Sequence, residues 1–367
     1  MVKPIWDVLV IGAGPAGSVT ALELAKRNVS VLLVDKAAFP RTKVCGACLN
    51  AAALSILEQI GLGDLPSRLK ARVLKKVILA CAGHFASFSI SEGAAVSREA
   101  FDQALIDEAV RAGVQFLPQT FAQINSVTDS IQVLLSQNGN ETRVRTHQVV
   151  TADGLEGRSL ENCDDFEFVK DPASLIGIGT HLNETPDFFE SGTIFMACGK
   201  EGYVGAVQLE DGRLNMAAAI RPDFLKSAGP EKTVNRILLQ AGFPLIEGLK
   251  EADWKGTVAL TRKRKRIASP GIFIVGDSAG YVEPFTGEGI AFALKSAVVL
   301  AGFLSEKTAP HHWVNWHKYF IAGRQKRCWL VTRLLRSPRI TQLLIGVLSH
   351  TSSFTELVAK QFSNPWT

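Results

Sequence analysis

The chain has 367 residues, 47% of them apolar, and its 40 Lys and Arg against 35 Asp and Glu leave a net charge of +5. This length exceeds one compact core and points to two domains, and the composition excludes a disordered or fibrous chain. No apolar run reaches the roughly eighteen residues of a membrane span, so neither a transmembrane helix nor a secretory signal is expected; six cysteines without regular spacing fit reduced thiols in a cytoplasmic protein.

From the N-terminus, Val8-Leu9-Val10-Ile11 predicts a buried strand that runs into Gly12-Ala13-Gly14-Pro15-Ala16-Gly17. A helix is expected over 18–27, then a second strand, Val31-Leu32-Leu33-Val34, ending on Asp35. Each position has a mechanical task. Gly12 permits the tight turn, Gly14 lets backbone approach a pyrophosphate, and Gly17 lets the helix pack closely on the strand. The free amides and dipole at the helix start stabilise phosphate, and Asp35 can accept hydrogen bonds from a ribose. Two strands around the glycines, with an acid at the right distance, make a dinucleotide-binding fingerprint.

The next loop, 39–49, carries Arg41, Lys43, Cys45, Gly46 and Cys48. Its CxxC spacing admits a redox dithiol, but that reading calls for a second dinucleotide fingerprint, and the sequence has none. Two packed or singly functional thiols are the alternative, with Cys48 entering a helical stretch and packing in the core. A helix follows over 51–60, stopped by Gly61, and strands at 73–80 and 85–90 suggest a hairpin outside the first sheet. Ser97 is a good N-cap for a helix that begins at Arg98. A cation in a first helical turn calls for an anionic partner, a cofactor pyrophosphate here, or else it is a solvated surface arginine.

Short strands are expected at 114–117, 123–127, 131–136 and 144–150, the last delivering Asp153 and Gly154 at its end. Alternation over 175–220 predicts an antiparallel sheet in a second domain, followed by a helix over 233–241. The basic run 262–266 lacks aromatic interleaving and precedes a buried strand; it reads as an edge strand with alternating charges rather than a nucleic-acid signal. The strand 271–276 ends on Asp277, and 278–290 turns into a long helix over 291–305, where glycine backbone can approach a planar ligand. Between Lys307 and Thr355 there is no acidic residue, while cations and apolar side chains interleave. This reads either as a surface that docks peripherally on anionic membrane or as helices that cover the second domain with a solvated basic face. There is no metal-ligand cluster.

In this order, the 12–35 fingerprint, Arg98-x-x-Phe101-Asp102, Ala152-Asp153-Gly154 and the block from Gly276-Asp277 to Gly289 resemble FAD enzymes of the para-hydroxybenzoate hydroxylase-like superfamily. Lys43-x-Cys45-Gly46 and Pro284-x-Thr286-Gly287-Glu288-Gly289-Ile290 look most like its geranylgeranyl reductase-like branch. The resemblance implies an α/β protein: a Rossmann-like FAD-binding domain of glutathione reductase type (1–72, 95–172 and 262–305), an inserted antiparallel β-sheet substrate domain (73–94 and 173–261) and a helical C-terminal region (306–367).

It further implies that FAD contacts Gly12, Gly14, Pro15, Ala16 and Gly17, and that Asp35, with Lys36 beside it, binds the adenosine ribose. Arg98 would lie by the pyrophosphate, Asp277 by the ribityl chain, and Pro284, Gly287, Gly289 and Ile290 by the pyrimidine edge of the flavin. Arg41, Cys45, Gly46, Asp153 and Gly276 complete the cofactor set, with Cys45 near the isoalloxazine as the catalytic residue. Tyr203, Gly205 and Val207 stand on the substrate strand, where the branch shows Y-x-W-x-F-P; glycine in place of tryptophan is expected to open the pocket. The leading activity is reduction of a carbon–carbon double bond in a hydrophobic isoprenoid, lipid or polyketide-like substrate by hydride from reduced flavin, with NADH or NADPH as transient reductant. A monooxygenase using a flavin C4a-hydroperoxide and a non-catalytic flavin-binding protein are the alternatives.

Overall fold

The computed structural model describes residues 5–90, 92–127, 130–283, 285 and 287–350, with side chains to 346. Strand Trp6–Ile11 lies between Val31–Val34 and Asn140–Thr151, with Gln115–Leu117 and Ile272–Ile274 outside them, all parallel. The fingerprint strand is thus central, with Ile11 level with both Val34 and Thr151. Its alternate residues serve two cores. Val8 and Val10 pack against helices α1 (Pro15–Ala25), α4 (Arg98–Arg111) and α6 (Gly289–Ser305), whereas Leu9 and Ile11 pack against the antiparallel strands Phe121–Val127 and Ile131–Gln137. Burial on both faces explains why these strands are continuous apolar runs rather than alternating ones. α2 (Ala51–Gln59) is capped by Asn50, whose side chain accepts from Ala53 N at 2.9 Å, and α3 (Leu65–Arg68) is a single turn.

Among the described residues, seven strands form a second sheet in the order Lys255–Ala259, Ile176–Leu182, Leu214–Ile220, Gly202–Gln208, Thr193–Gly199, Lys76–Cys81 and His84–Ser89. One face, through Val204, Ala206, Phe195 and Ala197, packs on Val234, Ile237 and Leu238 of α5 (Pro222–Ala241). The other, through Val77, Leu79, Phe88 and Met196, faces a cavity and Ile345 of α8 (Pro338–His350), which follows α7 (Pro310–Leu335). α7 is anchored by Trp313, fully buried, whose indole donates to the Ile274 carbonyl at 3.2 Å. No helix among the described residues is long and apolar enough to cross a membrane.

Two sequence expectations change, and one is extended. The helix expected over 233–241 is the part of α5 that follows a kink at Gly229 (φ 77°) and Pro230; a further helical stretch from Pro222 precedes the kink. Arg262–Arg264 is the middle strand of a small sheet, between Phe168–Lys170 and Gly280–Tyr281, not an edge. Arg262 and Arg264 lie over the Phe168 ring, 4.1 and 3.7 Å from its centroid, and their guanidiniums donate to the Leu155, Phe166, Gly157 and Ser278 carbonyls. Lys263, Lys265 and Arg266 face out, Lys265 to Glu167 and Arg266 to Asp165. Cys48 opens a short strand, Cys48–Asn50, not a helix.

Candidate functional site: a cofactor cradle joined to an apolar chamber

The glycines of the first turn divide into packing and access. A Cβ at Gly12 (φ 105°) would sit 2.3 Å from the Ala152 carbonyl oxygen, and one at Gly17 1.8 Å from that of Gly12. At Gly14 a Cβ would instead project toward the guanidiniums of Arg41 (3.6 Å) and Arg98 (3.9 Å), leaving an open seat between backbone and two cations. Pro15 and Ala16 begin α1, which has no acid in its first turn, so the positive helix end faces that seat uncompensated. Asp35, 8% exposed, accepts from Ala13 N and Ala37 N, each at 2.8 Å. It therefore fixes the turn as well as facing the cavity.

Asp102, fully buried, explains the arginines. Arg98 donates to both its oxygens at 2.8 Å, and Arg41 reaches it at 3.6 Å. The expected anionic partner of Arg98 is thus an aspartate one helical turn on, with the guanidinium's free side still turned to the seat. Burial works against the Arg98 charge, but Asp102 and then the Cys45 sulfur, within hydrogen-bonding reach, hold it protonated. Lys43 is a third cation at the same place. Burial, then the Arg41 and Arg98 charges, bring its pKa below the ordinary lysine value. Sequence reasoning did not give Lys43 or Asp102 a cofactor-binding role; the Arg98/Asp102 spacing of four on one helix was the available signal.

At the far side, Asp153 lines the cavity while its oxygens accept from Ser159 N (2.9 Å) and Ser278 Oγ (2.5 Å), so it braces two loops. Gly276 stands beside Asp277 at the end of its strand. A Cβ there would lie 2.7 Å from Ala16 Cβ, so the residue packs under α1, and neither it nor Gly17 of α1 itself is among the residues that line the main cavity. Asp277 does line it, and burial pushes its carboxyl above the usual carboxylate range against the pull of Lys43 and Arg98. Gly287, Gly289 and Ile290 line it at the start of α6, and Lys36, paired with Glu156, at its outer rim; Pro284 lies outside the described residues.

Cys45 and Gly46 stand where the polar seat gives way to apolar walls. The Cys45 sulfur accepts from Ala47 N at 3.4 Å, and its carbonyl accepts from Asn215 Nδ2 at 3.1 Å, which ties this loop to the second sheet. Cys48 is a thiol, not a disulfide partner, with Sγ donating to the Gly46 carbonyl at 3.1 Å. It is half-buried at the cavity wall, packed against the buried Leu74, Ala95 and Val207, and burial, then Cys45, pushes it up to about 12. That leaves it a poor nucleophile.

Tyr203, Gly205 and Val207 point into the chamber, as the period of two requires. The gap expected at Gly205 is filled by the cross-strand Met196, whose sulfur would be 3.1 Å from a Cβ there. Tyr203 meets the Phe285 ring edge-on at 5.0 Å between centroids. Tyr281 and Glu283 also line the chamber and were not singled out by sequence. Burial, then Asp277, Tyr203 and Cys45, push the Tyr281 phenol well above its ordinary value, so it stays protonated.

These walls enclose one continuous space of about 680 Å³, polar where Gly14, Asp35, Arg41 and Arg98 meet and apolar along Val77, Leu79, Phe88 and Met196. A strand-turn-helix seat for a dinucleotide that opens directly onto a chamber for an apolar molecule defines an FAD-dependent oxidoreductase. The chain belongs to the FAD-binding-domain family, whose model matches residues 6–332. It is 26% identical over 396 residues to the menaquinone reductase of Mycobacterium tuberculosis, covering 98% of this chain and 91% of that protein. Digeranylgeranylglycerophospholipid reductase 2 of Methanothermobacter thermautotrophicus is 27% identical over 313 residues, 82% of this chain and 78% of that one. A geranylgeranyl bacteriochlorophyll reductase-like crystal structure from Thermoplasma acidophilum shares the fold with a TM-score of 0.77 at 21% identity, over 97% of this chain and 96% of the other. The two geranylgeranyl-named proteins are similar to this chain at 27% and 21% identity, in line with the branch that its motifs resemble.

Proposed function

We propose that this flavoprotein reduces a carbon–carbon double bond in a hydrophobic, isoprenoid-bearing substrate, with NADH or NADPH as the transient electron donor. The observation that carries this reading is the continuity of the cavity, with a thiol at the junction of its polar seat and its apolar chamber. FAD, when bound and reduced, supplies a hydride at N5. Asp35 and the Gly14 backbone would hold the adenosine end, Arg41, Lys43 and Arg98 the pyrophosphate, and Asp277 the ribityl chain. The Val77, Leu79, Phe88 and Met196 walls exclude water and align an apolar chain along the sheet. Cys45 Sγ donates the proton that completes the reduction, and the Arg98 guanidinium stabilises the thiolate left behind. The relatives named for a menaquinone and a digeranylgeranyl glycerophospholipid, both lipids with isoprenoid chains, support this substrate class.

The test is anaerobic turnover with a polyprenyl quinone or a geranylgeranyl lipid. We expect a product that gains two hydrogens, FAD content unchanged in Cys45→Ser, and turnover lower by about 10²- to 10⁴-fold, the range for losing a general acid. Undiminished turnover in Cys45→Ser overturns the proton-donor role. A hydroxylated product with matching oxygen uptake overturns the reductase reading.

A further inference from the structure

The outward half of α7 and the first turns of α8 form a surface that a soluble helix pair does not need. Trp329, Leu330 and Leu334 on α7, with Ile340 and Leu343 on α8, are exposed, Leu330 at 54% and Leu343 at 71%. Spacings of seven, four and three residues from Tyr319 (74% exposed) through Lys326, Leu330 and Arg333 put them on one stripe, opposite the buried Ile321, Cys328 and Thr332. Arg333 lies over the Trp329 ring at 4.8 Å, and Arg327 and Arg339 flank the apolar positions. Between 307 and 355 there are eight Lys and Arg and no acid; since the whole chain carries +5, everything outside this stretch sums to −3. The cavity reaches the same place. Val331, Leu334, Leu335 and Leu344 line its apolar arm, and Leu334, 41% exposed, belongs to the surface as well.

We infer that this face docks on an anionic lipid bilayer and that the apolar arm opens there, between α7 and α8, so that the substrate enters from the membrane. An interfacial helix of this kind presents aromatic and aliphatic side chains to the acyl boundary and Lys and Arg to lipid headgroups. Phospholipid anions are the source of complementary charge. The inference rests on the proposed reaction for the identity of what enters, not for the docking itself.

Flotation of the FAD-loaded full chain with phosphatidylglycerol-containing and pure phosphatidylcholine vesicles tests it without any turnover, so its failure and that of the reductase reading are distinguishable. We expect recovery with anionic vesicles only, lost at high salt. The combined variant Lys326→Glu, Arg327→Glu and Arg333→Glu should weaken partitioning by on the order of 100-fold, because each cation near an anionic surface contributes about fivefold. Lys226→Glu with Lys250→Glu, on the α5 side of the second sheet, should float like the parent. Flavin absorbance and melting temperature verify that each variant is folded. Equal recovery with neutral vesicles, no flotation of the parent, or a charge-reversed variant that floats undiminished overturns the docking; the last two results would fit 351–367 or another protein as the cover.

Discussion

A methyl group at Gly17 has nowhere to go, lying 1.8 Å from the Gly12 carbonyl oxygen, whereas one at Gly14 meets the ends of the Arg41 and Arg98 side chains at 3.6 and 3.9 Å. The two glycines of one motif should therefore fail differently. Gly17→Ala must move helix off strand and should lower apo-protein stability by about 1–3 kcal/mol or more. Gly14→Ala should stay within about 1 kcal/mol of the parent, the cost of a poorer N-cap, while FAD affinity falls because the methyl occupies the seat. Thermal melts of the apo forms, set beside FAD titrations, separate the two; a Gly14→Ala protein with parental affinity would refute the seat. Asp35 has a double role for the same local reason. Its two backbone acceptor bonds mean that Asp35→Ala should cost about 1–3 kcal/mol of fold stability as well as ribose contacts, since Ala13 N loses a buried acceptor. If the apo melting temperature of that variant is unchanged, the bracing role is wrong.

α7 carries a pH signature in its buried face. His317, 7% exposed with its ring edge-on to Trp313, is held neutral by burial, which lowers its pKa to about 4 from 6.5. Between those values the unfolded chain binds the proton and the native one does not. The stability this histidine contributes is thus complete above about pH 6.5 and is lost as pH falls toward 4, by about 3 kcal/mol over the full shift. Denaturant melts at about pH 7 and about pH 4.5 should show a loss in the parent that His317→Phe lacks; equal losses would exclude the histidine. Nothing in the spacing of 310–335 announced this, because a lone histidine on a helix reads the same whether it faces Trp313 or water. The fingerprint was readable since each residue there answers to its own neighbours: an extended run, a positive φ at Gly12, an acid at the strand end. Elements whose role depends on distant chain were not. The 262–266 run became a clamp over Phe168, and Cys48 a strand because Ala95 was there to pair with it.

The two sheets share a cavity rather than a simple packed interface, so the assembled molecule is sensitive to what fills it. Segments near 12–17, 35–49, 98–102, 153–159, 203–207 and 277–290 all reach this space, and no local pattern specifies their meeting. Lys43 marks the electrostatic consequence. Its pKa is lowered by burial and by the charges of Arg41 and Arg98, so the cradle without ligand holds cations that repel one another beside a positive helix end. A pyrophosphate placed there removes the repulsion, and the native state is stabilised by mass action, about 2.7 kcal/mol at a hundredfold excess over Kd. ADP should therefore raise the melting temperature of the apo protein on its own, through Arg41, Lys43, Arg98 and the start of α1. Adenosine, which keeps the Asp35 contact but lacks phosphate, should do so far less at the same concentration, and rising salt should erode the ADP shift in particular. Lys43→Met should raise apo stability slightly and weaken ADP. Equal shifts from ADP and adenosine would show that the three cations serve the fold alone and not the cofactor's phosphates.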